Sequence, residues 1–261
     1  MSNSRPVDID QHQSLKDIFH MNKYELDTRF VINDGKKHKC AIICPGGGYT
    51  LVSSFIEGVP IARKLNEKGI SSVIVYYRVK GKGKYPNPQD DLAKAITDVH
   101  EMADEMNLDM ENYSVWGSSA GGHLVASMGT DNMGYTNYNL PKPGCLVLSY
   151  PVISMDAKIT HKGTRENLLG VNADSEAVDM ASVEKHVTSD YPRTYIWCGE
   201  NDKSVPPVNT TMMAEALKEA GVEYKCETFP GVDHGVGPAS GTAAQVWMDN
   251  AVAFWLGDTL D

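Results

Sequence analysis

The chain lacks the marks of several protein classes. It has no basic tract, and its 34 acidic residues outnumber 24 Lys and Arg, for a net charge of −10. That balance disfavours nucleic acids and anionic membranes, both polyanions, as partners. Its plainest consequence is solubility. No apolar run approaches the ~20 residues of a membrane span. The stretch MSNSRPVDIDQHQ at the start is polar and has no apolar core of an export signal. Cysteine is sparse and odd in number: Cys40, Cys44, Cys145, Cys198 and Cys226. All five stand in or beside apolar strand-like runs. This argues for buried, reduced thiols in a cytoplasmic protein, not for a disulfide framework. Cys40 and Cys44 do not form half of a structural zinc site, because no second Cys pair or His pair completes it.

What is present is an ordinary globular composition, 41% hydrophobic and 22% charged over 261 residues. That length can bury a sizeable core. The whole chain, 1–261, reads as one domain. From residue 38 onward, strand and helix signals alternate. Strands are expected at HKCAIIC (38–44), SSVIVYY (71–77), YSVWG (113–117), CLVLSY (145–150), TYIWCG (194–199) and VEYKCETF (222–229). Helices are expected at 60–69, with Gly69 as a stop, and at 88–106, about 120–128, 207–221 and 243–256. RFVINDGKK (29–37) adds a strand before an Asn-Asp-Gly turn and suggests an antiparallel entry to the sheet. Alternation at these lengths implies a mostly parallel twisted sheet with helices on both faces. Residues 151–190 are polar and break the rhythm. They read as an irregular cap or lid inserted after the strand ending near Tyr150, at the sheet edge where ligands bind.

The chemistry centres on VWGSSAGGH. Gly117-Ser118-Ser119-Ala120-Gly121 fits G-x-S-x-G with Ser119 in the middle. The pattern alone is weak, but here it follows a short strand and opens a helix. That is the setting of a sharp turn that exposes a nucleophilic hydroxyl at the top of a sheet. A serine needs a base to take its proton. Of the histidines after Ser119, His123 lies one helical turn on and suits packing or hydrogen bonding. His161 and His186 fall in the insertion, where a surface role is the default. His234, in FPGVDHGVG between the last strand and last helix, is the preferred base. The acid that orients it belongs after the preceding strand. ENDKSVP offers Glu200 and Asp202 there, and Asp202, just past the strand end, is preferred. Asp233 adjoins His234 and shapes the loop, while Asp190 precedes its strand.

An oxyanion needs preorganised donors, each worth roughly 3 kcal/mol in the transition state. Ala120, after the nucleophile, supplies one backbone N–H. CPGGGY follows the first parallel strand, and Gly47 and Gly48 are the candidates for the others. A phosphate cradle is the rival reading. Leu51 stands where a dinucleotide fingerprint needs its third glycine, and no Gly-Lys-Ser/Thr follows. Tyr49 either lines the acyl pocket or packs over the loop. Glu57 either accepts backbone N–H groups of the loop or favourably begins a helix. Arg78 either ties a strand-end loop to a carboxylate or meets substrate. The Met and Trp residues of VWMDNAVAFW have core spacing.

These residues carry a family resemblance. PGGGY, Glu57-Gly58, the YYR at Tyr76 to Arg78, YPNPQDDLAKAI, GSSAGGHL, SYPVI, ENDKSVP and DHG together resemble the α/β-hydrolases. The nearest group is the acetyl-esterase or carbohydrate-esterase-like serine esterases, near the hormone-sensitive-lipase type. The resemblance spans about 38–256. Pro45 stands where lipase-like members carry histidine, which points to the carbohydrate-esterase-like branch. The resemblance implies a three-layer α/β-hydrolase fold. It also implies hydrolysis of small acyl esters, often acetyl groups on sugars or xylo-oligosaccharides. No cofactor or metal is expected, and the partner is a small-molecule ester. Self-association into a homo-oligomer is compatible with the sequence. A thioesterase, a lactonase or a serine peptidase would share the triad. A non-catalytic binding protein of this fold would usually lack one member of it.

Overall fold

The computed structural model describes residues 28–257. The polar stretch 1–13, read above for an export signal, lies outside them. Among the described residues, seven strands form one sheet: β1 (Arg29–Phe30), β2 (His38–Cys44), β3 (Ser71–Ile74), β4 (Leu108–Ser118), β5 (Cys145–Ser149), β6 (Thr194–Gly199) and β7 (Tyr224–Phe229). Their order is β1-β3-β2-β4-β5-β6-β7. β1 pairs antiparallel with β3, and every other pairing is parallel.

Alternation along the strands builds two core layers, because successive side chains point to opposite faces. In β2, Cys40, Ile42 and Cys44 enter one layer, while Ala41 and Ile43 enter the other. The first layer is covered by α2 (Asn87–Glu101), α3 (Ser119–Ser127) and α6 (Val208–Glu219), through Leu92, Ile96, Leu124, Val125, Met213 and Leu217. The second is covered by α1 (Val59–Glu67) and α7 (Trp247–Leu256), through Ile61, Leu65, Trp247 and Trp255. With both faces buried, strands such as CLVLS can be apolar throughout.

Several boundaries differ from expectation. The predicted helix 88–106 ends at Glu101. Met102, Ala103 and Met106 still face the core, but from turns. Apolar spacing reports which residues face inward, and a turn satisfies it as well as a helix. β3 stops at Ile74, although Val75 and Tyr77 stay buried. The entry strand is only two residues long, and Lys36 N–H closes the Asn-Asp-Gly turn onto Asp34 Oδ1 at 3.0 Å. Cys226 is exposed on strand β7 at the end of the sheet, so four of the five thiols are buried, not all. The segment 151–190 is less irregular than expected. It holds α4 (Lys162–Leu169) and α5 (Ser175–Ala181), and it places Val152, Ile153, Met155, Leu168, Ala181 and Val183 in the core. Its apolar residues come in short, separate groups, without the long period that marks a helix in sequence.

Candidate active site

The residues singled out in the sequence emerge together beyond the C-terminal ends of β2, β4, β6 and β7, the edge where open parallel sheets bind ligands. Ser119 sits at the break between β4 and α3, with φ +54°. A serine in this left-handed region is strained by about 1–3 kcal/mol and persists only when its surroundings enforce it. They do so by backbone contact. A Cβ on Gly117 would stand 2.3 Å from the Gly121 carbonyl oxygen, and one on Gly121 would stand 2.1 Å from that of Cys44. Only glycine lets strand and helix pass this closely.

Ser119 Oγ lies 2.8 Å from His234 Nε2, and His234 Nδ1 lies 2.6 Å from Asp202 Oδ2. Asp202 is 5% exposed. Its Oδ1 accepts the N–H groups of Ser204 at 2.9 Å and Val205 at 2.8 Å. That leaves Oδ2 for the imidazole, which places a proton on Nδ1 and makes Nε2 the acceptor for the serine hydroxyl. The loops after β6 and β7 are tied together, Asn201 N–H donating to Val232 O at 3.1 Å. Glu200 and Asp233 are exposed. Asp190 binds Tyr135 and Lys142 ahead of β6, at the other end of the sheet.

The glycine loop packs directly on this elbow. A Cβ on Gly46 would fall 2.8 Å from Ser119 Cβ. Gly46 gives its N–H to Glu57 Oε2 at 2.9 Å, so the loop-anchoring reading of Glu57 holds. The N–H groups of Gly47 and Gly48 have no acceptor among the described residues. Ala120 lies in the first turn of α3, where N–H groups lack intrahelical acceptors. The loop that carries Gly47 and Gly48 thus abuts Ser119 at Gly46, and the Ala120 N–H follows Ser119 directly in the chain.

Tyr49 does not line an open pocket. Its ring is fully buried against Tyr77, and its hydroxyl meets His123 Nδ1 at 3.0 Å. His123 Nε2 donates to Ala181 O at 2.8 Å, so Nδ1 accepts from the tyrosine. Burial lowers the pKa of His123 to about 4, which keeps this link between the glycine loop, α3 and the segment after β5 neutral. Arg78 Nε donates to Asp91 at 2.9 Å, a carboxylate tie.

Two positions escaped the sequence reading. Tyr150, at the end of β5, packs its ring edge-on to His234 at 4.8 Å and accepts Gly237 N–H at 3.1 Å. It also hydrogen-bonds Glu57. Burial raises the pKa of Glu57, against the donors that face it. The tyrosine of SYP at a strand end was the available signal. His161 is not a surface residue either. It is half-buried, with Cε1 3.4 Å from where a Gly48 Cβ would sit.

The sheet order, the covering helices and the strained serine at a strand–helix break define the α/β-hydrolase class. Residues 26–217 match the family described as BD-FAE. The chain is 32% identical over 197 residues to an acetylxylan esterase of Xylanibacter ruminicola, covering 74% of this chain and 40% of that one. It is 29% identical over 228 residues to endo-1,4-beta-xylanase B of Butyrivibrio fibrisolvens, covering 84% and 35%. The chain thus spans well under half the length of these curated relatives. Among solved structures it is similar to an acetyl ester-xyloside bifunctional hydrolase from Caldicellulosiruptor lactoaceticus. That likeness has a TM-score of 0.80 and 32% identity over 94% of this chain and 93% of that one. The chain belongs to the BD-FAE family of α/β-hydrolase esterases. Among the described residues, no helix is long and apolar enough to cross a membrane.

Proposed function

We propose that the chain is a serine carboxylesterase that removes small acyl groups, acetyl foremost, from sugars or xylo-oligosaccharides. One observation carries the reading: the unbroken line from Ser119 Oγ through His234 to the buried Asp202. Ser119 Oγ attacks the ester carbonyl carbon as His234 Nε2 takes its proton. The carbonyl oxygen gains negative charge and is met by the N–H groups of Gly47, Gly48 and Ala120. Asp202 holds the ring and stabilises its charged form. As the tetrahedral adduct collapses, the bond to the alcohol oxygen breaks and His234 returns its proton to that oxygen. Water, deprotonated by His234, then attacks the acyl-serine, and the acid leaves as Ser119 recovers its proton.

The likeness to an acetylxylan esterase and to an acetyl ester-xyloside hydrolase supports the acetyl and xylose preferences. Residues 151–190 act as a lid within the single domain. In support, Asn167 Nδ2 reaches Gly48 O and Thr50 Oγ1, each at 2.8 Å. The five unpaired cysteines support work in a reducing, cytoplasmic setting. The test is acetate release from acetylated xylo-oligosaccharides, beside a series of p-nitrophenyl esters from acetyl to octanoyl. Acetate release and a fall in kcat/KM with chain length are expected. An octanoyl preference would overturn the small-acyl reading.

A further inference from the structure

The insertion caps its two helices differently. Asp174 caps α5 in the usual way, its Oδ1 accepting Ala177 N–H at 2.8 Å. At α4 the cap is His161, whose Nδ1 accepts Thr164 N–H at 3.2 Å, with Thr164 Oγ1 2.8 Å away. A histidine is not needed to begin a helix. It stands at a helix start that touches the glycine loop, beside Gly48.

Because Nδ1 is an acceptor, the neutral ring carries its proton on Nε2. That N–H has no partner among the described residues. Burial, and then the charge of His234, lower the pKa of His161, with Asp202 opposing; the ring therefore stays neutral and lies within electrostatic reach of both residues. Asn167, on the same helix, fixes α4 to the loop through Gly48 O. The ring is thus a pre-oriented donor held by a second element at the rim of the site.

We propose that His161 contacts the substrate, its Nε2–H donating a hydrogen bond to an oxygen on the alcohol half of a polyhydroxylated ester. This rests on the esterase reading. The ester carbonyl has backbone donors of its own, so a side-chain donor on the insertion meets what the ester carries beyond the carbonyl. A sugar offers hydroxyl and ring oxygens there, whereas a simple aryl ester offers none. His161 then sets preference among alcohols and takes no part in proton transfer.

The test is His161→Ser, which keeps a hydroxyl cap for α4 and removes the donor. Its kcat/KM is measured on a mono-acetylated methyl xyloside and on phenyl acetate. The sugar-to-aryl ratio is expected to fall roughly 3- to 10-fold, the worth of one neutral hydrogen bond, mostly through KM. His161→Asn, also a good cap, serves if the serine variant does not fold. An unchanged ratio, or an equal fall on both esters, would overturn the inference while leaving the esterase reading intact. A wild-type chain that cleaves neither ester would overturn both.

Discussion

Glycines crowd the elbow at 117–122 and the loop at 231–241, and most of them serve opposite physical needs; Gly237 is the loop's exception, since a Cβ there would lie 2.3 Å from the Ile56 carbonyl oxygen. In the elbow, Gly117 and Gly121 have ordinary backbone angles but no room: added Cβ atoms would lie 2.3 and 2.1 Å from carbonyl oxygens. In the loop, Gly231, Gly235 and Gly241 have open space around them, yet φ of +70°, +73° and +76°. Ser119 is thus placed by close packing of backbone on backbone. His234 is placed by hydrogen bonds on a loop, from Asp202 on one side and through Gly237 to Tyr150 on the other. Ser119, the proposed nucleophile, is thus locked by the core, while His234, the proposed base, is oriented largely by polar contacts.

The sharpest way to break this contrast is Gly121→Ala. The new methyl meets the Cys44 carbonyl, so a loss above about 4 kcal/mol and no soluble folded protein are expected; expression followed by thermal melting checks it. A folded, stable variant would show that the elbow is looser than its contacts imply. Ser119→Ala comes next. It should cut kcat by about 10⁴-fold or more while the melting curve persists, since removing a triad hydroxyl leaves the oxyanion donors intact. Retained turnover would move the nucleophile elsewhere.

His123 gives a smaller, pH-dependent effect. Its folded pKa is depressed from 6.5 to about 4, so the unfolded chain takes up a proton that the folded chain refuses. Stability present above pH 6.5 is lost as pH falls toward 4, by roughly 3 kcal/mol. Urea midpoints of wild type and His123→Gln across this window should converge on acidification; parallel curves would contradict a neutral buried ring. Smallest is Gly235→Ala. With free space but a left-handed backbone, it should cost about 1–2 kcal/mol and leave a folded protein. A loss as large as that of Gly121→Ala would erase the contrast between the two regions.

How much of this was legible in the sequence follows the same division. The elbow could be read because its constraint is local: G-x-S-x-G, a strand before it and a helix after it. Asp202 and His234 could be read because chain order and strand ends bring loops to one edge. Tyr49 was open to two readings, since nothing local says whether a ring after three glycines turns outward or, as here, inward to His123. Tyr150 and His161 act through contacts 87 and 113 residues away in sequence, to Gly237 and Gly48. No short-range pattern encodes such contacts. The insertion looked irregular because its core residues come from turns and two short helices.

The central claim is that Ser119 is the nucleophile of an esterase. The most direct measurement is intact mass and peptide mapping after treatment with a fluorophosphonate. The account predicts one adduct, on the peptide bearing Ser119, slowed when Asp202 is changed to Asn and absent in Ser119→Ala. No adduct on the folded protein, or an adduct on another serine, would contradict it.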